Sequence, residues 1–82
     1  FHAERDAEGD EALRRALQLE PRNVIALMES ARASTRRGDL ARAISFWQRV
    51  VVFAPESRSA GQARQGIAHA AQLSAVLEVV DA

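Results

Sequence analysis

Apolar residues recur at spacings of three and four over most of the chain. Between residues 40 and 53, Leu40, Ala43, Ile44, Trp47, Val50 and Val51 draw one stripe, the period of a helix with one buried face. A second stripe, Leu27, Ala31 and Ser34 with Val24 and Met28 beside it, predicts a helix from about Val24 to Arg37. Asn23 is its expected N-cap, because a side-chain oxygen at that position accepts from a backbone N–H with no partner inside the helix. Gly38 ends it, since glycine takes the left-handed conformation after a helix without a Cβ clash. Asp39 caps the next helix, from about Leu40 to Phe53, and Pro55 stops that one. Small residues at 31 and 34 let the pair approach closely, with Trp47 supplying volume opposite.

Two more helices flank this pair. Ala7 to Leu19 carries Ala12, Leu13, Ala16, Leu17 and Leu19 on its expected inner side, with Gly9 weakening its start. Beyond Pro55, either Ser57 or Ser59 is placed to cap a long helix reaching about Val80, and Ser59 with Gln62 has capping-box spacing. Its apolar positions are Ala60, Ala63, Ile67, Ala70, Ala71, Leu73, Val76, Leu77 and Val80, and the reading is that it covers the open end of the molecule.

The chain also repeats. Ala12 to Pro21 and Phe46 to Pro55 end alike, and their prolines stand 34 positions apart. Superposing them sets Leu13 on Trp47, Ala16 on Val50, Leu17 on Val51, Leu19 on Phe53 and Arg15 on Arg49. A period of 34 with two helices per unit is the tetratricopeptide-repeat (TPR) period. The residues Ala31, Gly38-Asp39, Ala43, Trp47 and Pro55 resemble the TPR pattern of a small residue in the first helix, a Gly-Asp turn, an alanine and an aromatic in the second, and a closing proline. Two places depart from it, with Ser30 where a leucine is usual and Ser34 where a tyrosine is usual. The resemblance covers roughly residues 7 to 73. It implies an all-α, single-domain TPR-like solenoid fragment over residues 1–82. Its parts are about four helices in antiparallel hairpins: the second helix of a partial repeat over 7–20, one complete repeat over 24–55, and a long capping helix over 57–80.

A narrower likeness is to the periplasmic TPR domain of bacterial cytochrome c biogenesis factors. It is carried by Ala12 to Pro21, Arg37 to Val50, and the Ala/Gln/Arg-rich helix with Ile67-Ala68. That likeness implies a chaperone holding the C-terminal helix of an apocytochrome, and a periplasmic location; the broader family leaves the compartment open, cytoplasmic included.

Composition narrows the alternatives. The chain has 82 residues, eleven basic against eleven acidic side chains, no cysteine and no tyrosine. A domain this short keeps much of its surface in water, which disfavours a deep catalytic cleft. A balanced charge gives no overall field toward nucleic acid or anionic lipid. Disulfides and thiolate metal sites are excluded. No apolar run reaches the roughly 18 residues of a membrane span. The charged start, Phe1 to Asp6, is unlike a signal peptide, and the absence of an initiator Met is expected of a processed or excised piece.

Chemistry-bearing residues are few. His2 and His69 have no metal-spaced partner, and the glycines at 9, 38, 61 and 66 form no phosphate loop. Neither Ser59 nor Ser74 stands in a recognisable triad with His69. No enzyme activity, cofactor or metal is expected. The family's groove is lined by first helices, and carried over position by position the resemblance implies Ile25, Met28, Arg32, Thr35 and Arg36. The following helix contributes Ser59, Gln62, Gly66 and His69. Arg32 and Arg36, four apart, share one helix face and are expected to hold a carboxylate or phosphate; the alternative is that Arg32, Arg36 and Arg37 are a solvated face and Met28 is core. The expected partner is a peptide or helix, including an acidic C-terminal tail. Competing readings are self-association through an unpaired helix edge, giving a homodimer, and a regulatory segment tethering a larger protein.

Overall fold

The computed structural model describes the backbone of residues 2–81 and the side chains of residues 9–77. Four helices follow in order: α1 (His2–Leu19), α2 (Val24–Arg36), α3 (Leu40–Phe53) and α4 (Arg58–Asp81). The all-α class expected from the apolar spacing is what the chain adopts. Helix α1 begins at His2, earlier than the expected Ala7, and Gly9 does not interrupt it. The side chains of His2 and Val80 lie outside the described residues.

The α2–α3 hairpin follows from local chemistry. Asn23 Oδ1 accepts from the Ala26 N–H at 3.0 Å, opening α2. At the other end Gly38 has φ +79°. Its N–H donates to the Thr35 carbonyl at 3.0 Å, and the Asp39 N–H donates to the Ser34 carbonyl at 2.9 Å. These two bonds are the pair that closes a helix with glycine in the left-handed region. Asp39 then serves both helices, since its Oδ1 accepts from the Arg42 N–H at 3.1 Å and caps α3. Only three residues, 37–39, separate α2 from α3, a link short enough to set the two antiparallel and adjacent.

Burial concentrates where the stripes predicted it. Leu27, Ala31, Ala43 and Val50 are fully buried, joined by Met28, Trp47, Ala63 and Ala70 in one apolar cluster. Ser34 is buried in the hairpin too, and its hydroxyl donates to the Ser30 carbonyl at 2.9 Å, so the polar group enters the core with a partner. The ring of Trp47 lies directly on α4. A Cβ built on Gly66 would stand 2.7–2.9 Å from three indole carbons, closer than nonbonded carbons pack. Gly66 is therefore where α3 and α4 close on one another, and not a groove residue.

Helix contacts set the layers. α2 packs on α3, α3 packs on α4, and α2 also touches α4, while α1 lies against α2 alone among the described residues. The molecule is 16 Å thick against 41 and 38 Å in the other directions, which accommodates two layers of helices at the usual 8–10 Å separation.

The geometry of the inter-helix loops repeats with the sequence. The bond from the Glu20 N–H to the Ala16 carbonyl (2.8 Å) recurs 34 residues later from Ala54 to Val50 (2.9 Å). Asn23 to Glu20 (3.0 Å) recurs as Ser57 to Ala54 (3.1 Å), and Leu27 to Asn23 (2.9 Å) as Gly61 to Ser57 (3.4 Å). The cap recurs as well, with Ser57 Oγ accepting from the Ala60 N–H at 3.0 Å. Ser57 therefore opens α4, and the Ser59–Gln62 capping box is not formed because Ser59 already lies inside the helix. Both proline carbonyls are held by arginines, Pro21 by Arg49 at 3.3 Å and Pro55 by Arg64 at 3.0 Å.

The apolar positions of the outer helices are only partly covered. Ala12 is exposed and Leu19 is 78% exposed, because no described helix lies on that side of α1. In α4, Ala60, Ala63 and Ala70 are buried and Ile67 is packed against the core, but Ala71, Leu73, Val76 and Leu77 are exposed. The helix covers α3 with its first half, and its second half leaves an apolar strip open.

Candidate functional site

The predicted groove residues lie on α2 and α4. On α2, Ile25, Arg32, Thr35 and Arg36 are exposed, with Ile25 at 77%. Ile25, Glu29, Arg32 and Arg36 are spaced by four, three and four, which places them along one line of the helix surface. On α4, Gln62 and His69 are exposed and two turns apart. Met28 is the exception. It is 7% exposed and belongs to the apolar cluster with Leu27 and Trp47, so it fills the core and does not meet a surface ligand. Ser59 and Gly66 are half-buried.

The two expected anion-holding arginines differ in their surroundings. Arg32 Nη1 is 2.6 Å from Glu29 Oε1, one turn earlier, with both side chains about half exposed. Exposed pairs of this kind contribute about 0–1 kcal/mol, so a ligand carboxylate can displace Glu29. Arg36 forms no ion pair among the described residues and borders a shallow recess with Asp10, Leu13 and Glu29. Arg37, grouped with them as a solvated face, instead pairs with Asp10 of α1 and fastens α1 to the end of α2. Thr35 donates its hydroxyl to the Ala31 carbonyl at 2.9 Å, leaving its methyl as the outward contact.

A second concavity, missed in the sequence, lies between α1 and α3. It is a cleft of about 310 Å³. Leu13 and Leu17 of α1 face Phe46 of α3 across it, Ser30, Ala33 and Ser34 form its floor on α2, and arginines 14, 37, 42 and 49 stand around its rim with Asp10. Its origin is local. α1 and α3 both pack on α2, and among the described residues their backbones stay apart, while the α2 residues lining the gap have short side chains. The available signal was the pair Ser30 and Ser34, two small polar residues on an otherwise apolar stripe, together with Arg42, Phe46 and Arg49 at helical spacing on the side of α3 away from its core stripe.

Other chemistry is sparse. No group of three or more His, Asp or Glu side chains suited to a metal ion occurs among the described residues. None of the described helices is long and apolar enough to cross a membrane. Trp47 is buried beneath α4 and offers no stacking platform. Comparison of the chain with models of protein families, with curated proteins and with solved structures finds no match.

Proposed function

We propose that the chain is a TPR-like protein-interaction module whose α2/α4 face takes a peptide or helix from a partner. The observation that carries this reading is the recurrence, at 34 residues, of the same loop hydrogen bonds and the same helix start around both prolines. A helix pair repeated with that period stacks its first helices side by side; the contact between α2 and α4 supports that arrangement. Ile25 is an exposed apolar residue on the same line of α2 as Arg32 and Arg36, and α4 carries exposed Gln62 and His69. Such a face offers one apolar anchor and two guanidinium groups to an acidic amphipathic segment. The finer reading, a chaperone of cytochrome c maturation, rests on the likeness of Ala12–Pro21 and Arg37–Val50 to that family.

The test uses a peptide selected from a random library against the chain. Arg32→Ala combined with Arg36→Ala is expected to weaken its binding by about tenfold or more, since each guanidinium–carboxylate bond lost is worth about 1.5–3 kcal/mol. Affinity unchanged within about twofold would remove both arginines from the account.

A second reading, self-association, is favoured by the open strip of Leu73, Val76 and Leu77 and by exposed Leu19, because contiguous exposed apolar residues mark interfaces. Sedimentation across a concentration series separates the two. A 9.0 kDa species throughout is the result expected of a partner-binding monomer.

A further inference from the structure

We propose that the α1/α3 cleft is a second binding site, a socket for an acidic peptide segment that seats one apolar side chain between Leu13, Leu17 and Phe46 and places a carboxylate on Arg49. The site is distinct from the α2/α4 face, because none of Ile25, Arg32, Thr35, Arg36, Gln62 and His69 lines it.

The inference starts from charge. The chain as a whole has eleven basic and eleven acidic side chains, yet the cleft lining holds four arginines against one aspartate. Three of the four are engaged by carboxylates: Arg37 by Asp10, Arg14 by Glu11 at 3.3 Å, and Arg42 by Asp39 at 3.8 Å. The last two pairs are largely exposed, so they are weak and exchangeable. Arg49 is different. It is half-buried, forms no ion pair among the described residues, and is held in place from two sides. Its Nη2 donates to the Pro21 carbonyl at 3.3 Å, and its guanidinium lies 5.9 Å from the centre of the Phe46 ring. A guanidinium has five N–H donors, and one is used. The group is pre-positioned with donors to spare beside an apolar wall, which is the arrangement that favours a carboxylate attached to an apolar body.

Size selects the occupant. The lining residues of α1 and α2 each run over about two helical turns, or on the order of 11 Å, and 310 Å³ is at the lower end of ligand-site volumes. A whole helix is about 10 Å across and does not enter. An extended segment of three or four residues spans that length and presents alternate side chains to the floor and to the rim. Alternating apolar and acidic residues meet both.

The experiment titrates a labelled, terminally blocked peptide of alternating Leu and Glu into the full chain at low salt, reading fluorescence anisotropy. Saturable binding is expected, with the Gln analogue of the peptide weaker by about tenfold or more. Arg49→Gln is expected to weaken the acidic peptide to the same degree while leaving the Gln analogue unchanged. Because Arg49 also holds the Pro21 loop, Ser30→Leu is the companion variant. It fills the cleft floor, and it is expected to abolish binding with the circular dichroism spectrum of a folded chain. Absence of saturation below about 1 mM, or equal affinity for the parent and a folded Ser30→Leu chain, would overturn the proposal. Equal affinity for the acidic and Gln peptides would overturn the role of Arg49.

Discussion

Replacing Trp47 with alanine is expected to remove about 3–5 kcal/mol of stability, the range for truncating a large buried aromatic. The ring is 9% exposed and joins α3 to α4 within the central cluster. A single core in a chain this short rarely supplies more than about 3–5 kcal/mol in total. The variant should therefore be largely unfolded at room temperature, with weak helical circular dichroism and no cooperative urea transition. A transition midpoint close to that of the parent would mean that α3 and α4 do not depend on this contact.

The second large effect separates two glycines of the same helix. Gly61 and Gly66 both lie within α4, and alanine at either gains about 0.8–1 kcal/mol of helix propensity. A Cβ at Gly61 meets nothing within 4 Å, whereas at Gly66 it meets the Cε2, Cζ2 and Cδ2 atoms of Trp47 at 2.7–2.9 Å. Those atoms are the body of a rigid ring, so the conflict is relieved only by moving α3 from α4. Overpacking of this kind costs about 1–3 kcal/mol, enough to outweigh the propensity gain. Gly61→Ala should raise the melting temperature by several degrees and Gly66→Ala should lower it, at about 4–8 °C per kcal/mol for a domain of this size. Stabilisation by both substitutions would refute the close approach of Trp47 to α4.

These contrasts mark where sequence reasoning succeeds and stops. Helix positions were legible because their signals are local. Asn23, Gly38, Asp39 and the two prolines act on their own few neighbours, and the core stripe of α3 needed only its spacing. The choice between Ser57 and Ser59 was not local. Both suit a cap, and the decision is made by the Ser57 N–H and hydroxyl, which both donate to the Ala54 carbonyl at 3.1 and 2.7 Å and so fix where the chain turns. Exposure of Leu19, Val76 and Leu77 was likewise illegible, because a stripe says which side of a helix is apolar and not whether another helix reaches it. Met28 failed as a groove residue because position carry-over ignores side-chain length, and a long flexible thioether turns into any apolar gap beside it.

Of the candidate site, surface exposure is what the repeat pattern made legible. Ile25, Arg32, Thr35, Arg36, Gln62 and His69, carried over from the repeat pattern, are exposed. The α1/α3 cleft was not foreseen, since it arises from three helices at once. Its traces were the serines at 30 and 34, which departed from the family pattern at the two positions that now form its floor.

The central claim is that this chain binds a partner segment on its α2/α4 face, and amide chemical-shift mapping tests it most directly. With a library-selected peptide added to the isotope-labelled chain, the account predicts shifts at Ile25, Arg32, Thr35, Arg36, Gln62 and His69. Shifts confined to the α1/α3 cleft or to the strip from Leu73 to Leu77, with the α2/α4 face silent, would contradict it.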